Sequence, residues 1–425
     1  MKSASISLGF VLIALGACSS GQAAPSSDRN NVSPSDAADA SDGGAVHDAG
    51  DGGAVHDADD GGSAPDAGGN AAPLGQVGAA TDGTQAFFVW TGGVQAGVHG
   101  ARIAEDGTIL GRVTLASDTT AYQNVAAAGY DGQHFLVAWL NGRPGYWTLS
   151  LHGSRVSRQG QSLDSQPIVI GSPGSGLIDD LHVGTRVVVA GGAGFFDVGW
   201  ANGSYGNVRV DGSGSVGPAT EYRPPDGIQE QFPAAISLNG SLVTLCAFAG
   251  APPRPGGPPT NPEVRVGDCH SYPDQANPNG GYSSSSVPAL AYGGNTLAQV
   301  WSYQDKYQSS MIAVQGRIGE HPFSIGGSAR DVEVGFDGTY FHVVWLTNQY
   351  NASALMEQRI RVDGSLVDSP VTLEPSTSHV ADGISVACPG TTCMVGFHDD
   401  AGIGVIRLAG AGPGPTERIA LAPAP

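Results

Sequence analysis

"AAAGYDGQHFLVAW", residues 126–139, sets small and apolar residues before a Tyr-Asp-Gly turn and closes an apolar run on Trp139. Asp-Gly between two such runs is a hairpin signal, because both residues accept the backbone angles of a tight turn. The pattern returns along the chain. "VGAATDGTQAFFVW" ends at Trp90, "LAYGGNTLAQVW" at Trp301 and "VEVGFDGTYFHVVW" at Trp345, and in all four copies the turn glycine (Gly83, Gly132, Gly294, Gly338) stands seven residues before the Trp. Looser copies are "VVVAGGAGFFDVGW" ending at Trp200, "AAISLNGSLVTLCAF" around Gly240, and "ISVACPGTTCMVGF" with Gly390 seven before Phe397, which makes seven.

A second register gives the same count. After each hairpin comes a strand-like segment with an Arg, and five residues beyond it a Gly: "RIAEDG" from Arg102, "RVSRQG" from Arg155, "RVDGSG" from Arg209, "RIRVDG" from Arg359 and "RLAGAG" from Arg407. Arg265 and Arg317 fill the two remaining slots, with His270 and Pro322 at the fifth position. The period of about fifty residues falls in the range of propeller blades. Each unit reads as strand, Gly turn, strand ending in Trp, variable loop, Arg strand, Gly turn, strand. Four such strands with two apolar faces cannot bury themselves, but a closed ring of them can.

These motifs resemble the "DG..yLVvW" repeats of β-propellers in secreted and lipid-anchored bacterial proteins, over residues 75–425. The expected fold is all-β: a seven-bladed β-propeller of four-stranded antiparallel blades, with repeats near 75–123, 124–176, 177–231, 232–286, 287–330, 331–380 and 381–425. The repeat is specific for the fold and nearly silent about function. The repeated Trp residues read as packing between blades. The repeated Arg residues read as structural, each held by a backbone carbonyl or a carboxylate.

The N-terminus points to export. Lys2 precedes an apolar stretch from Ile6 to Ala14, too short to span a bilayer but suited to a signal peptide. Leu15-Gly16-Ala17-Cys18 then resembles the bacterial lipobox, which implies cleavage after residue 17 and acylation of Cys18. Several acyl chains on one residue give a stable membrane anchor. Ser19 rather than Asp follows the Cys, which in such lipoproteins goes with the outer membrane. Residues 18–74 then form a tether: "SDGGAVHDAG" is followed at once by "DGGAVHDADDGG", with almost no large apolar side chain. Such a segment stays disordered, because it cannot bury enough surface to offset its ordering entropy. His47, Asp48, His56, Asp57, Asp59 and Asp60 lack the spacing of a calcium loop. Neither a metal nor a cofactor is expected.

The net charge of −20 argues against nucleic acid as a partner. Four cysteines remain after Cys18, and their positions suggest Cys388 with Cys393 across the "CPGTTC" hairpin and Cys246 with Cys269 on adjacent strands, both permitted in an oxidising compartment. Topology places the loops after each Trp, and the connections between blades, on one face. That face carries the binding candidates Tyr146, Trp147, Tyr303, Tyr307 and Tyr350, aromatics able to stack on sugars or anchor a protein. The expected role is a monomeric, envelope-anchored binding or scaffold module for a protein or polysaccharide, with no catalytic residue assigned. The alternative is an exported glycosidase or lyase using carboxylates such as Asp179, Asp180, Glu221, Asp226 or Glu230. The sialidase box, Gly-x-Ser-x-Gly, His-Glu-x-x-His and the phosphate loop are all absent, which weighs against that alternative.

Overall fold

A computed structural model of the chain describes residues 76–92, 97–117, 122–142, 149–171, 186–201, 205–222, 230–238, 241–249, 264–268, 289–294, 296–304, 312–325, 329, 331–347, 353–375, 383–408 and 415–423. They lie in the second of two units of the chain, Asp66–Pro425. Every regular element among them is a strand. The first repeat gives β1 (Val77–Thr81), β2 (Gln85–Thr91), β3 (Val98–Ala104) and β4 (Ile109–Ala116); the second β5 (Tyr122–Tyr130), β6 (His134–Gly142), β7 (Leu149–Ser157) and β8 (Ile168–Gly171). The third gives β9 (Arg186–Gly192), β10 (Phe195–Ala201), β11 (Tyr205–Asp211) and β12 (Thr220–Tyr222); the fourth β13 (Glu230–Leu238), β14 (Ser241–Ala249) and β15 (Val264–Asp268). The fifth gives β16 (Ala289–Gly293), β17 (Thr296–Gln304), β18 (Ile312–Ile318) and β19 (His321–Ile325); the sixth β20 (Val332–Phe336), β21 (Phe341–Leu346), β22 (Leu355–Ile360) and β23 (Val371–Glu374). The last gives β24 (Ser385–Ala387), β25 (Cys393–Asp399), β26 (Gly402–Leu408) and β27 (Pro415–Pro423).

The strands of each repeat form one antiparallel sheet in chain order, so the fold is an all-β propeller. The expectation of seven four-stranded blades is corrected. Six sheets have four strands, while the fourth repeat supplies a three-stranded sheet, β13-β14-β15. Beyond β15 this repeat continues as "SYPDQANPNGGY", which lies outside the described residues. The first strand of that sheet nevertheless lies against β9 on one side and β16 on the other.

The core sits between blades. Among the described residues, five apolar clusters each draw on two neighbouring blades. Phe88, Trp90 and Ala86 join Met394, Ile403 and Val405 of the last blade, while Phe87 and Val89 of the same strand join Phe135, Val137 and Trp139 of the second. Alternation along β2 thus buries both faces of the sheet. The Trp positions share one logic: Trp139 packs with the first blade, Trp200 with the second and Trp345 with the fifth, so each reaches back to the preceding blade. Inner strands approach closely at one repeated position, three residues before the turn glycine, and only Gly or Ala stands there in six blades. It is Gly129, Gly191 or Gly335 in three blades and Ala80, Ala291 or Ala387 in three others. A Cβ on Gly191 would run into the Tyr130 carbonyl of the preceding blade.

Asp and Gly fix the first turn of a blade. Asp131 Oδ1 accepts from the backbone N–H groups of Gln133 and His134, both at 2.7 Å, and Gly132 takes a φ of 102°. Asp82 and Asp337 do the same in their own blades. An Asp side chain bonded to the backbone two residues on mimics a turn, and Gly carries the positive φ without a Cβ clash. The last blade has no Asp here; a disulfide, Cys388–Cys393, spans its turn instead. Cys246 lies on β14 opposite Gly267, and its expected partner Cys269 falls outside the described residues.

Trp139 is 1 % exposed. Replacing it with alanine should lower unfolding free energy by about 3 to 5 kcal/mol, as for other large-to-small core deletions, measured by urea denaturation. A loss under about 1 kcal/mol would contradict the packing described for this position.

Candidate functional site

The two faces of the ring differ in kind. First-to-second strand turns are uniformly short, whereas the second-to-third loops run from 400–401, two residues, to 250–263, fourteen, and one connection between blades spans 269–288, twenty residues. The second-to-third loops and this connection lie on the face where the Trp strands end. On the opposite face the third-to-fourth connections also vary, from 319–320, two residues, to 158–167 and 361–370, ten residues each.

The opposite face is bonded blade to blade by the repeated Arg. Arg102 Nη1 donates to Arg158 O at 2.9 Å, Arg155 Nη1 to Gly212 O at 2.8 Å, and Arg407 Nε to Glu105 O at 2.8 Å. Each acceptor stands two residues before the turn glycine of the following blade, Gly160, Gly214 and Gly107. A Cβ at Gly160 would lie 2.5 Å from Arg102 Nε, so the glycine clears the path of the guanidinium. Carboxylates complete the set. Arg155 is also chelated by Asp164, Arg209 by Asp197, Arg359 by Asp368, and Arg158 reaches back to Asp82 at 2.8 Å. The repeated Arg of the sequence is therefore structural where its partners are described, and these five do not form a ring of free cations.

On the loop face the described groups are few. At the end of the second blade, Ser150 Oγ lies 2.8 Å from His152 Nε2 and donates to Asn141 O at 3.2 Å. Burial pushes His152 down, which keeps the imidazole neutral. Its ring lies 6.3 Å from that of Trp139, and His99 repeats the arrangement at 5.9 Å from Trp90. In the last blade Arg418 Nη1 and Nη2 donate to the two oxygens of Asp399, at 2.7 and 2.9 Å, and Nη1 reaches Glu374 of the preceding blade at 2.8 Å. These pairs hold one another.

One cluster was not singled out by the repeat motifs. On β21 of the sixth blade the ring of His342 lies between Glu357, 2.6 Å from Nδ1, and Asp337, 2.9 Å from Nε2, with all three side chains at most 2 % exposed. Burial alone would lower the His342 pKa, but hydrogen bonds to Asp337 and Glu357 override it and raise it. The ring is held as an imidazolium donating from both nitrogens. Desolvation pushes Asp337 up, but the bond from His342 and two backbone N–H groups bring it below its ordinary value. The signal lay in the repeat alignment. Four residues after the turn glycine stand Phe87, Leu136, Val198, Ala298 and Met394, and only here a His; two before the blade Arg stand Gly100 and Gly153, and here Glu357. Enclosed as it is, the cluster offers no access to substrate.

Of the sequence candidates, Cys18, Tyr146, Trp147, Tyr307 and Tyr350, with Asp179, Asp180 and Asp226, lie outside the described residues. Tyr303 sits on β17 opposite Ala313, Glu221 on β12 opposite Gly206, and Glu230 on β13 opposite Ala249, at positions whose side chains are not described. Among the described residues no group of three His, Cys, Asp or Glu is placed to hold a metal ion, and no helix is long and apolar enough to cross a membrane.

No protein-family model and no curated protein matches the chain. Solved structures do resemble it. A prolyl endopeptidase matches 82% of this chain at 13% identity and a TM-score of 0.43, and the chain spans 48% of that protein's length. The β-propeller domain of the Trilobed protease from Pyrococcus furiosus matches 82% of this chain and 97% of its own at 9% identity and a TM-score of 0.46. A fucose-specific lectin from Aleuria aurantia matches 83% and 96% at 13% identity and 0.38. At these levels the likenesses carry no statement about activity.

The buried cluster makes two predictions. His342→Leu leaves two enclosed carboxylates without their cation and should cost about 3 to 5 kcal/mol. Adding Glu357→Gly, which recreates the Leu136 and Gly153 pairing of the second blade, should recover most of that loss in a double-mutant cycle. Because the folded-state pKa of His342 is raised, its contribution is fully present below the unfolded value and fades as pH rises through the folded one. Denaturation of the parent against the double variant from about pH 6 to 9 reads this directly.

Proposed function

We propose that the chain is an envelope-anchored lipoprotein whose propeller is a binding module, with the loop face as the recognition surface for a polysaccharide or protein. What supports the reading is the contrast between faces: one is bonded blade to blade by the repeated Arg and has connections of two to ten residues, while the other carries loops of two to fourteen residues and a twenty-residue connection between blades. Recognition loops on a rigid scaffold vary in this way. Within this reading the three-stranded sheet of the fourth repeat takes a blade's place, so that seven repeats close the ring, and its long neighbouring loops enlarge the recognition face. Tyr146, Trp147, Tyr303, Tyr307 and Tyr350 are the proposed anchors, Cys18 is the proposed lipid attachment, and the outer membrane is the proposed address, from Ser19 after the Cys. The enzyme alternative gains nothing from Asp82, Asp131, Asp164, Asp197, Asp337, Glu357, Asp368 and Asp399, which are engaged by Arg, by His or by turn backbone.

Two experiments test the proposal. Cys18→Ala should move the protein from the membrane fraction to the soluble periplasmic or culture fraction; unchanged retention would remove the lipid anchor. For recognition, the purified propeller is screened on a glycan array and against envelope polysaccharide, then the five aromatics are truncated singly. The central anchors should each weaken capture by about 2 kcal/mol or more and the rim ones hardly at all. Binding that survives all five truncations, together with hydrolytic or eliminative activity abolished by changing Asp179, Asp180, Glu221 or Asp226, would turn the assignment to an enzyme.

A further inference from the structure

The first and last blades are each built from consecutive strands, β1 to β4 and β24 to β27, so among the described residues no strand of one end completes the blade at the other. Closure at this seam is by contact alone. Its apolar part is the cluster of Phe88, Trp90, Met394 and Val405. Its polar part includes Val77 N to Gly383 O at 3.1 Å, Gly390 N to Gly83 O at 2.9 Å, Arg407 Nε to Glu105 O at 2.8 Å, and Thr391 N and Oγ1 to Glu105 Oε1 at 2.8 and 2.7 Å. Three of these bonds come from one turn, 388–392. In the first, second and sixth blades this turn is held by the Asp that precedes its glycine, but here Pro389 stands in that place and Cys388–Cys393 spans the turn. Gly390 lies so close to Glu105 that a Cβ there would come within 2.5 Å of the carboxylate. The turn is thus seated on the first blade, and the disulfide is what holds its shape.

We propose that Cys388–Cys393 is the latch of the ring: by fixing the 388–392 turn it presents Gly390 and Thr391 to the first blade, and its reduction by a dithiol loosens the seam ahead of every other junction. In that reduction the dithiol delivers two electrons and two protons to the sulfur–sulfur bond, leaving two cysteine thiols, and itself becomes a disulfide. The other described turns of this kind contain no sulfur, so among the described turns a reductant acts on this one alone.

Hydrogen–deuterium exchange of the full chain, oxidised and after dithiothreitol, tests the latch. Reduction should speed exchange of peptides covering 77–91 and 383–399 at least tenfold while leaving those covering 186–211 unchanged. Glu105→Ala provides a second test with the disulfide intact, because it removes the acceptor of both Thr391 bonds from an exposed position. It should speed exchange over the same peptides. A uniform rise in all blades on reduction would make the disulfide a general stabiliser and overturn the proposal. No change at the seam under reduction, or none in Glu105→Ala, would overturn it equally.

Discussion

The apolar contact between neighbouring blades is the constraint from which the rest of the structure follows. A four-stranded sheet with alternating side chains has two apolar faces, and water is excluded from both only when a second sheet lies against each. The chain meets this requirement with residues such as Phe87 and Phe88, adjacent in β2 yet committed to different neighbours. Once both faces are committed, no blade is complete alone. The Trp that reaches back to the preceding blade and the Arg that reaches forward to the following turn are two consequences of one demand, acting on opposite faces of the ring.

The turns show how that demand is met with local chemistry. The carboxylate of Asp82, Asp131 or Asp337 spends one oxygen on the backbone and leaves the other free to find a partner, and the partner differs by blade: Gln85 and Arg158 for Asp82, the enclosed His342 for Asp337. The sixth blade therefore places ions where its neighbours place Leu136 and Gly153. Buried ion pairs are weak sources of net stability, since desolvation opposes the attraction. Their geometry is strict, however, and a pairing that tolerates one arrangement fixes the register of β21 on β22.

Much of the architecture was legible because it repeats. The seven-residue interval from Gly132 to Trp139 and the five-residue interval from Arg155 to Gly160 each mark a physical need, a turn with positive φ and a guanidinium passing a bare backbone, and such needs recur with the blades. The pairing of Cys388 with Cys393 was legible from its position across a hairpin. The fourth strand expected in the fourth repeat falls on a Pro- and Asn-rich segment outside the described residues. His342 and Glu357 escaped because they break the pattern, and a reading tuned to what recurs passes over what differs. The candidate site was legible only as a face. Loops such as 143–148 and 250–263 differ in length and composition from blade to blade, so nothing in one predicts another.

The consecutive order of strands within each sheet has a consequence for chain entropy. Every hairpin joins neighbours in sequence, and the one junction that brings together residues about three hundred positions apart is the seam, where Arg407 meets Glu105. Loop-closure entropy grows only as the logarithm of length, so closing a ring of this size costs about 5 kcal/mol, and one further blade of similar length would add about 0.1 kcal/mol. Chain entropy is thus almost indifferent to the number of repeats. What limits that number is the angle at which two apolar sheets can meet, and a gene lineage is free to gain or lose a repeat wherever that angle can be adjusted.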